Sequence, residues 1–366
     1  MRSDPNVGTI LLAGGKGSRL HDLTAAESKP AVHFAGRNRI VDFAMANVVR
    51  SGLDRLLVAT QFAPATLHDH LPARWGRYFA SGHMVLRDGR DQYLGTADAV
   101  RRNWSQIRDW GSDQVLVLAA DHVYDMDYGP LIAMHRASGA AVTVAVDVVP
   151  LAQASGLGVM HADAGGRILS FLEKLAHPPA IPGEPDKAMV SMGIYVFEAD
   201  WLRDALFGRD IESLDFGHEV IPAAVAQGLA MAYRLPAGPS GHAYWRDVGT
   251  LDALRQSHLD FLGQQPARLP RMSTLSEWYL GRDSVAMPGA LVPASARLTR
   301  CLVAPRTRVP AGLVAGEDAD EDARWFRRDK GTVLITQAML DRREAMRVRI
   351  SLPAGARPDL RPRDAA

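Results

Sequence analysis

Cysteine is almost absent from this 366-residue chain, where Cys301 stands alone. One thiol excludes an intrachain disulfide and a cysteine-built metal cluster. Long apolar runs are missing as well. The first, at 7–12, is short and soon interrupted by glycines, so neither a secretory leader nor a membrane span is expected, and the cytoplasm is the expected compartment. Excess charge of either sign is also lacking: 42 Lys+Arg against 41 Asp+Glu leave a net +1. That excludes a global field that would gather nucleic acid or anionic membrane. What the chain does have is apolar material, 47% of its residues, which is enough for a buried core. Its length suits two domains, or one large domain with an appendage.

Glycine is concentrated where it matters. LAGGKGSRL at 12–20 follows a short apolar run and precedes SKPAV at 28–32. Gly14, Gly15 and Gly17 supply a turn whose backbone can approach an anion closely, with Lys16 and Arg19 adding charge. Two common phosphate loops do not fit. Gly17 follows Lys16 where the Walker pattern needs Ser or Thr, and Leu20 stands where the dinucleotide pattern needs a third glycine.

Along the first 150 residues, strand-like runs at 56–60, 115–121 and 140–149 alternate with helical spacing, as in Ala97, Val100, Trp104 and Ile107 across 96–108. Such alternation predicts an α/β fold with a doubly wound, mostly parallel, Rossmann-like sheet. Ligands collect at the carboxyl ends of such strands, which is where Asp121 falls. Further strands are expected at 168–174 and 192–197, and helices at 201–206 and 251–262. Beyond a break near 264–266, apolar residues Val285, Leu291, Val303 and Val309 recur at multiples of six, with a one-residue slip at Arg297-Leu298. That period suggests one or two coils of a left-handed hexapeptide β-helix. The expected domains are therefore a catalytic unit at 1–265, a short β-helix-like unit at 266–345, and a disordered Arg/Pro/Ala-rich tail at 346–366. None of the twelve histidines has the spacing of a helical metal site, and His68 and His70 read as solvated.

Taken together, KPAVHF at 29–34, YLGTADAV at 93–100, ADHVY at 120–124, GLGVM at 156–160, EK at 173–174, SMGIYVF at 191–197, DFGHEVIP at 215–222 and YWRDVGT at 244–250 span 8–260 in a set order. The chain resembles the sugar-nucleotide pyrophosphorylases, and within them the glucose-1-phosphate adenylyltransferase branch. The resemblance implies that ATP and glucose 1-phosphate give ADP-glucose and pyrophosphate, by in-line attack without a covalent enzyme intermediate. It implies Mg²⁺ held by Asp121 and Asp247, the donor type a hard dication prefers. Arg19 and Lys29 would join these two carboxylates as catalytic groups, facing the β/γ- and α-phosphates. Gly14, Gly15, Gly17, Gln61, Gly95 and Thr96 would bind nucleotide; Tyr93, Gly158, Glu173, Lys174 and Ser191 would bind the sugar phosphate. A homo-oligomer, tetrameric in the family, is implied too. The alternatives are a non-catalytic regulatory paralogue and a pyrophosphorylase for another nucleoside triphosphate.

The chain departs from the family pattern in places. Ala120 replaces the usual glycine before Asp121, and its methyl is expected to crowd the nucleotide. Leu175 replaces a proline after Lys174. Ala26-Glu27 stands where regulated members carry two cations, leaving His33 and Arg39 as the residues that match effector-contacting positions.

Overall fold

Four strands make the parallel half of the main sheet: β1 (Val7–Ala13), β2 (Leu56–Thr60), β3 (Met84–Asp88) and β4 (Gln114–Ala119) pair in parallel in the order β3-β2-β1-β4, with β3 at the edge. The computed structural model describes residues 7–90, 92–208, 211–236, 244–263, 266–268 and 273–351. After β4 come the short β5 (His122–Tyr124) and the long β6 (Val142–Pro150), followed by β7 (Val159–Ala162), β8 (Ile168–Leu172), β9 (Lys187–Glu198), β10 (Ala230–Arg234) and β11 (Trp245–Asp247). Strand β9 runs antiparallel between β4 and β6, and β10 lies parallel beside β6. The sheet thus reads β3-β2-β1-β4-β9-β6-β10, and only β9 opposes the rest. The antiparallel pair β7–β8 is attached to the first half of β9, at Met189 and Val190.

Both faces of the sheet are covered, which is why its strands are nearly continuous apolar runs. Leu11, Leu56, Val58, Leu116 and Leu118 pack against α1 (Val41–Arg50) and α2 (Ala65–Trp75) through Val41, Met45, Leu67 and Leu71. Their strand neighbours Ile10, Leu57, Val115 and Val117 face the other way. There they meet α3 (Thr96–Arg102), α4 (Trp104–Asp109) and, beyond α5 (Gly129–Ser138), α6 (Ala199–Phe207) and α7 (Ile221–Ala226). This is the doubly wound α/β arrangement that the alternation predicted. The helix expected over 96–108 is divided at Asn103. Its amide donates to the Ala99 carbonyl and to the Tyr93 hydroxyl, drawing the backbone out of helical geometry.

Several histidines expected in solvent are structural. His70 Nε2 lies 2.7 Å from Oδ1 of the fully buried Asp42, which also accepts from Trp75 Nε1 at 2.8 Å. His68 reaches Thr60 Oγ1 at 2.9 Å, and His135 is buried. His258, on α8 (Leu251–Leu259), bonds the Leu254 carbonyl through Nδ1 and stacks on Phe34 with centroids 4.2 Å apart. The helical spacing of the apolar side chains left these polar members of the same buried faces unread.

The chain divides into two units, Met1–Ser273 and Thr274–Ala366. In the second, β12 (Tyr279–Gly281), β13 (Ser284–Ala286), β14 (Arg297–Leu298), β15 (Cys301–Val303), β16 (Val314–Ala315), β17 (Arg327–Asp329) and β18 (Thr332–Ile335) form short stacked rungs. Val285 pairs with Leu302, Leu291 with Arg308 and Arg297 with Val314, all in parallel. Two coils are followed by a third rung, where Leu302 meets Leu334. The step from the first coil to the second, Val285 to Leu302, is one residue short of three hexads, so the strict six-residue series loses register. Leu291, expected in the interior, is 59% exposed, whereas Leu298, Val303, Val309 and Ala315 are buried. Gly316 at the coil corner has φ +83°, and a Cβ there would lie 1.7 Å from the Thr299 oxygen. Residues 346–351, expected to open a disordered tail, instead continue α10 (Gln337–Ser351), after α9 (Ala319–Trp325); Ala345, Met346 and the arginines around them are good helix formers. The rest of that expected tail, 352–366, lies outside the described residues, as does part of the break expected near 264–266.

Burial holds the His258 imidazole down to about 4 despite its bond to Leu254. The unfolded chain takes up this proton near pH 6.5 and the fold only near 4. The stabilisation is therefore complete above pH 6.5 and is lost as pH falls towards 4. Urea unfolding between pH 7 and 4.5 should show this slope, and His258→Leu should reduce it by up to one proton; an unchanged slope would refute the assignment.

Candidate functional site

The turn after β1 brings a cation into the protein. Gly17 has φ +68°, and a Cβ there would lie 2.6 Å from the Lys29 Cβ, so only glycine lets the Lys29 stem pass this closely. The Lys29 amide also bonds the Gly15 carbonyl at 3.2 Å. Lys29 is 4% exposed, and its Nζ donates to Asp121 Oδ2 at 3.0 Å and to Asp247 Oδ1 at 2.7 Å. The carboxylates meet because β5 and β11 pair antiparallel, with Asp247 opposite His122. Arg19 Nη2 stands 3.7 Å from Asp247 Oδ2, and His122 Nε2 stands 3.7 Å from Asp121 Oδ1.

The charges sustain one another. Burial opposes ionisation of both carboxylates, but the ammonium beside them and the nearby His122 hold them well below the usual range. Burial likewise opposes the charge on Lys29, and the two carboxylates push its pKa above the ordinary lysine value.

Beside this triad lies a cleft of about 370 Å³. Gly14, Gly15, Gln61, Tyr93, Gly95 and Thr96 line one part of it, and Asp121, Glu173 and Lys174 another. Gln61 Nε2 donates to the Tyr93 carbonyl at 3.0 Å. Gly95 has φ +123°, and a Cβ there would lie 2.3 Å from the Leu214 oxygen. Glu173 Oε1 and Lys174 Nζ are 2.9 Å apart, and that carboxylate raises the lysine pKa against the effect of burial. Lys174 itself has φ +51°, and its amide bonds the Leu157 carbonyl, which sets its backbone where Leu175 replaces the expected proline.

Not every expected residue faces the cleft. Gly17, Arg19, Lys29 and Asp247 are joined to it through Asp121 and the glycine turn rather than by lining it. Gly158 lies against Glu173, since a Cβ there would come within 2.8 Å of Oε2. The Ser191 hydroxyl accepts from the Gly193 amide and lies 3.2 Å from the Tyr195 hydroxyl. Ala120 is fully buried in the core and does not line the cleft, so its methyl does not crowd that space. His33 and Arg39 face each other across a short hairpin away from the cleft lining. Arg39 donates to Glu27 Oε2 at 3.1 Å and to the Ala31 carbonyl. Burial, and then the Arg39 charge, push His33 down to about 4.

The sequence reading missed part of the wall: Gly193, Tyr195, Asp215, Phe216 and Gly217. Asp215 Oδ2 accepts from the Thr96 hydroxyl at 2.8 Å, and Oδ1 from the Gly217 amide at 2.8 Å. The available signal was an Asp-Phe-Gly run with Glu219 four residues after Asp215, whose carboxylate returns to the Asp215 amide at 2.7 Å.

Among the described residues, no three His, Cys, Asp or Glu side chains meet in a cluster that would hold a metal by themselves. Asp121 and Asp247 nevertheless fit a hard divalent cation whose remaining ligands are water and phosphate oxygens. Both are ionised, and the ammonium engages only one oxygen of each, Oδ2 and Oδ1 respectively.

The pattern of the nucleotidyl transferase family matches residues 8–264, and that of the GlmU-like C-terminal hexapeptide matches 271–336. A glucose-1-phosphate adenylyltransferase of Cereibacter sphaeroides (strain ATCC 17029) is 39% identical to the chain, over 91% of this chain and 95% of that protein. Proteins of the same name from Jannaschia sp. (strain CCS1) and Enterobacter sp. (strain 638) are 37% and 35% identical, covering 91% and 90% of this chain and 96% and 93% of their own lengths. No helix among the described residues is long and apolar enough to cross a membrane.

Proposed function

Because the chain belongs to the glucose-1-phosphate adenylyltransferase family, we propose that its cleft joins ATP to glucose 1-phosphate, forming ADP-glucose and pyrophosphate. The observation that carries this reading is Lys29 bonded to both Asp121 and Asp247 beside a cleft with a glycine turn in one wall and the Glu173–Lys174 pair in another. A phosphate oxygen of glucose 1-phosphate attacks the α-phosphorus of ATP, and the bond from that phosphorus to the pyrophosphate oxygen breaks. The attacking oxygen is already anionic, so no general base is needed. The work is to bring two polyanions together and to stabilise charge moving onto the leaving group.

Each residue type suits a part of that work. The Gly14–Gly15 turn offers backbone close to the phosphates, and Arg19, 61% exposed at its side chain, is free to swing its planar fork onto the departing pyrophosphate. Lys29, set behind Asp121, adds positive charge near the α-phosphate and fixes the two carboxylates. Gln61, Gly95 and Thr96 lie on the nucleotide side, with Gly17 shaping the turn. Lys174 takes the sugar phosphate, and Glu173 accepts from sugar hydroxyls; Tyr93, Gly158 and Ser191 complete that pocket. Mg²⁺, held by Asp121 and Asp247, would neutralise charge between the two phosphate groups. Retention of Arg19, Lys29, Asp121, Lys174 and Asp247 favours an active enzyme over a regulatory paralogue. The proposal extends to a cytoplasmic homo-tetramer, as the family resemblance implies.

Pyrophosphate release from a panel of nucleoside triphosphates with glucose 1-phosphate and Mg²⁺ tests the reading, with ATP expected to lead. Asp121→Asn should keep the fold and lower kcat on the order of a hundred-fold or more; near-normal turnover would remove Asp121 from its role. Lys174→Ala should chiefly raise the KM for glucose 1-phosphate, because its contact exists in ground and transition states alike. A larger change in the KM for ATP would overturn that placement.

Regulation follows from the other end of the SKP element. An anionic activator at His33 and Arg39 would have to displace Glu27 from Arg39 beside a histidine that is neutral at pH 7. Initial rates at subsaturating ATP should therefore change little with millimolar fructose 1,6-bisphosphate, and a several-fold activation would contradict this.

A further inference from the structure

The two sides of the cleft are tied together behind its wall. Gly95 and Thr96 stand on the nucleotide side, and the 215–217 segment packs on the sugar side, where a Cβ on Gly217 would lie 2.5 Å from Glu173 Oε2. Between them runs a continuous set of bonds. Leu214 donates its amide to the Leu94 carbonyl at 2.9 Å. The Leu214 carbonyl in turn accepts from the Ala97 and Asp98 amides at 3.0 and 2.9 Å, using the free donors in the first turn of α3. Thr96 and Asp215 are bonded side chain to side chain.

One guanidinium fastens this joint. Arg101 Nη1 donates to the Ile211 carbonyl at 2.8 Å and Nη2 to the Glu212 carbonyl at 3.0 Å, while Nε donates to Asp98 Oδ1 at 2.9 Å. Asp98 is fully buried, and its other oxygen accepts from the Leu94 amide at 2.8 Å. Through Arg101 and Asp98, the backbone at 211–212 and the backbone at 94 share one planar, charge-assisted cluster. The two segments are thus fastened to each other through one ion pair.

Building on the functional reading above, we propose that Arg101 is a positioning residue that couples the two substrates, so that ordering of the nucleotide side by ATP pre-forms the sugar-phosphate side, and the reverse. Coupling of this kind is reciprocal and is measured as a ratio of affinities. Full-length protein with Mg²⁺ is titrated calorimetrically with α,β-methylene ATP, whose α-phosphorus has no cleavable bridging oxygen, with and without glucose 1-phosphate; the converse titration is run as well. Each ligand should tighten the other by about five-fold or more in the wild type. Arg101→Met should bring that factor close to one. Arg102→Met, which removes a bond to Asp98 Oδ2 but none to the backbone at 211–212, should keep it. If Arg101→Met does not fold, Arg101→Lys decides, because an ammonium cannot span Asp98 and both carbonyls, so the coupling should again fall towards one. Coupling that survives in a folded Arg101 variant overturns the inference. So does a wild type that binds both ligands independently, which leaves the functional reading standing. Binding of neither ligand overturns that reading and this inference together.

Discussion

An ammonium group between two carboxylates organises this molecule. Lys29, Asp121 and Asp247 come from positions separated by 92 and 218 residues, and each would be costly to bury alone. Together they balance, because each carboxylate helps keep the lysine charged and the lysine keeps both carboxylates ionised. The requirement reaches outward. Lys29 must pass Gly17 closely, β5 must pair with β11 in one register, and β1 and β4 must end side by side for the glycine turn and Asp121 to share a cleft.

The sheet supplies the rigidity for this. Strands β1, β2 and β4 are packed on both faces, so their carboxyl ends are held by the core rather than by loops. The antiparallel β9 breaks the parallel order, and its Gly193, at φ +70°, approaches the Ala119 side chain within the distance of a missing Cβ. Beside it β9 bulges against β6, where Ser191 pairs with Val146 but Tyr195 with Val144, while Tyr195 stays opposite Val117 of β4.

Counter-ions are assigned within the fold in much the same way elsewhere. Asp42 is held by His70, Arg74 and Trp75, and Asp98 by Arg101 and Arg102. Arg39 is held by Glu27 rather than left open to solvent anions. The Asp42 and Arg39 pairs join separate segments, so charge there specifies which segments are neighbours more than it adds stability, whereas Asp98 and its two arginines lie within α3.

Sequence alone determined the alternation of strands and helices, the glycine turn, the ordered motifs and the hexad period, because each is a local pattern of residue type and spacing. It also identified Asp121 and Asp247 as partners, through their motifs. Tertiary structure decided the rest. That Lys29 bonds both carboxylates, that Ala120 points into the core, and that Asp215 and Tyr195 complete the wall depend on strand register and on a bulge, which no spacing along the chain encodes. The one-residue shortening of the first β-helix coil put Leu291 out of register for the same reason. Register between distant segments is set by packing them together, and only the folded chain carries it.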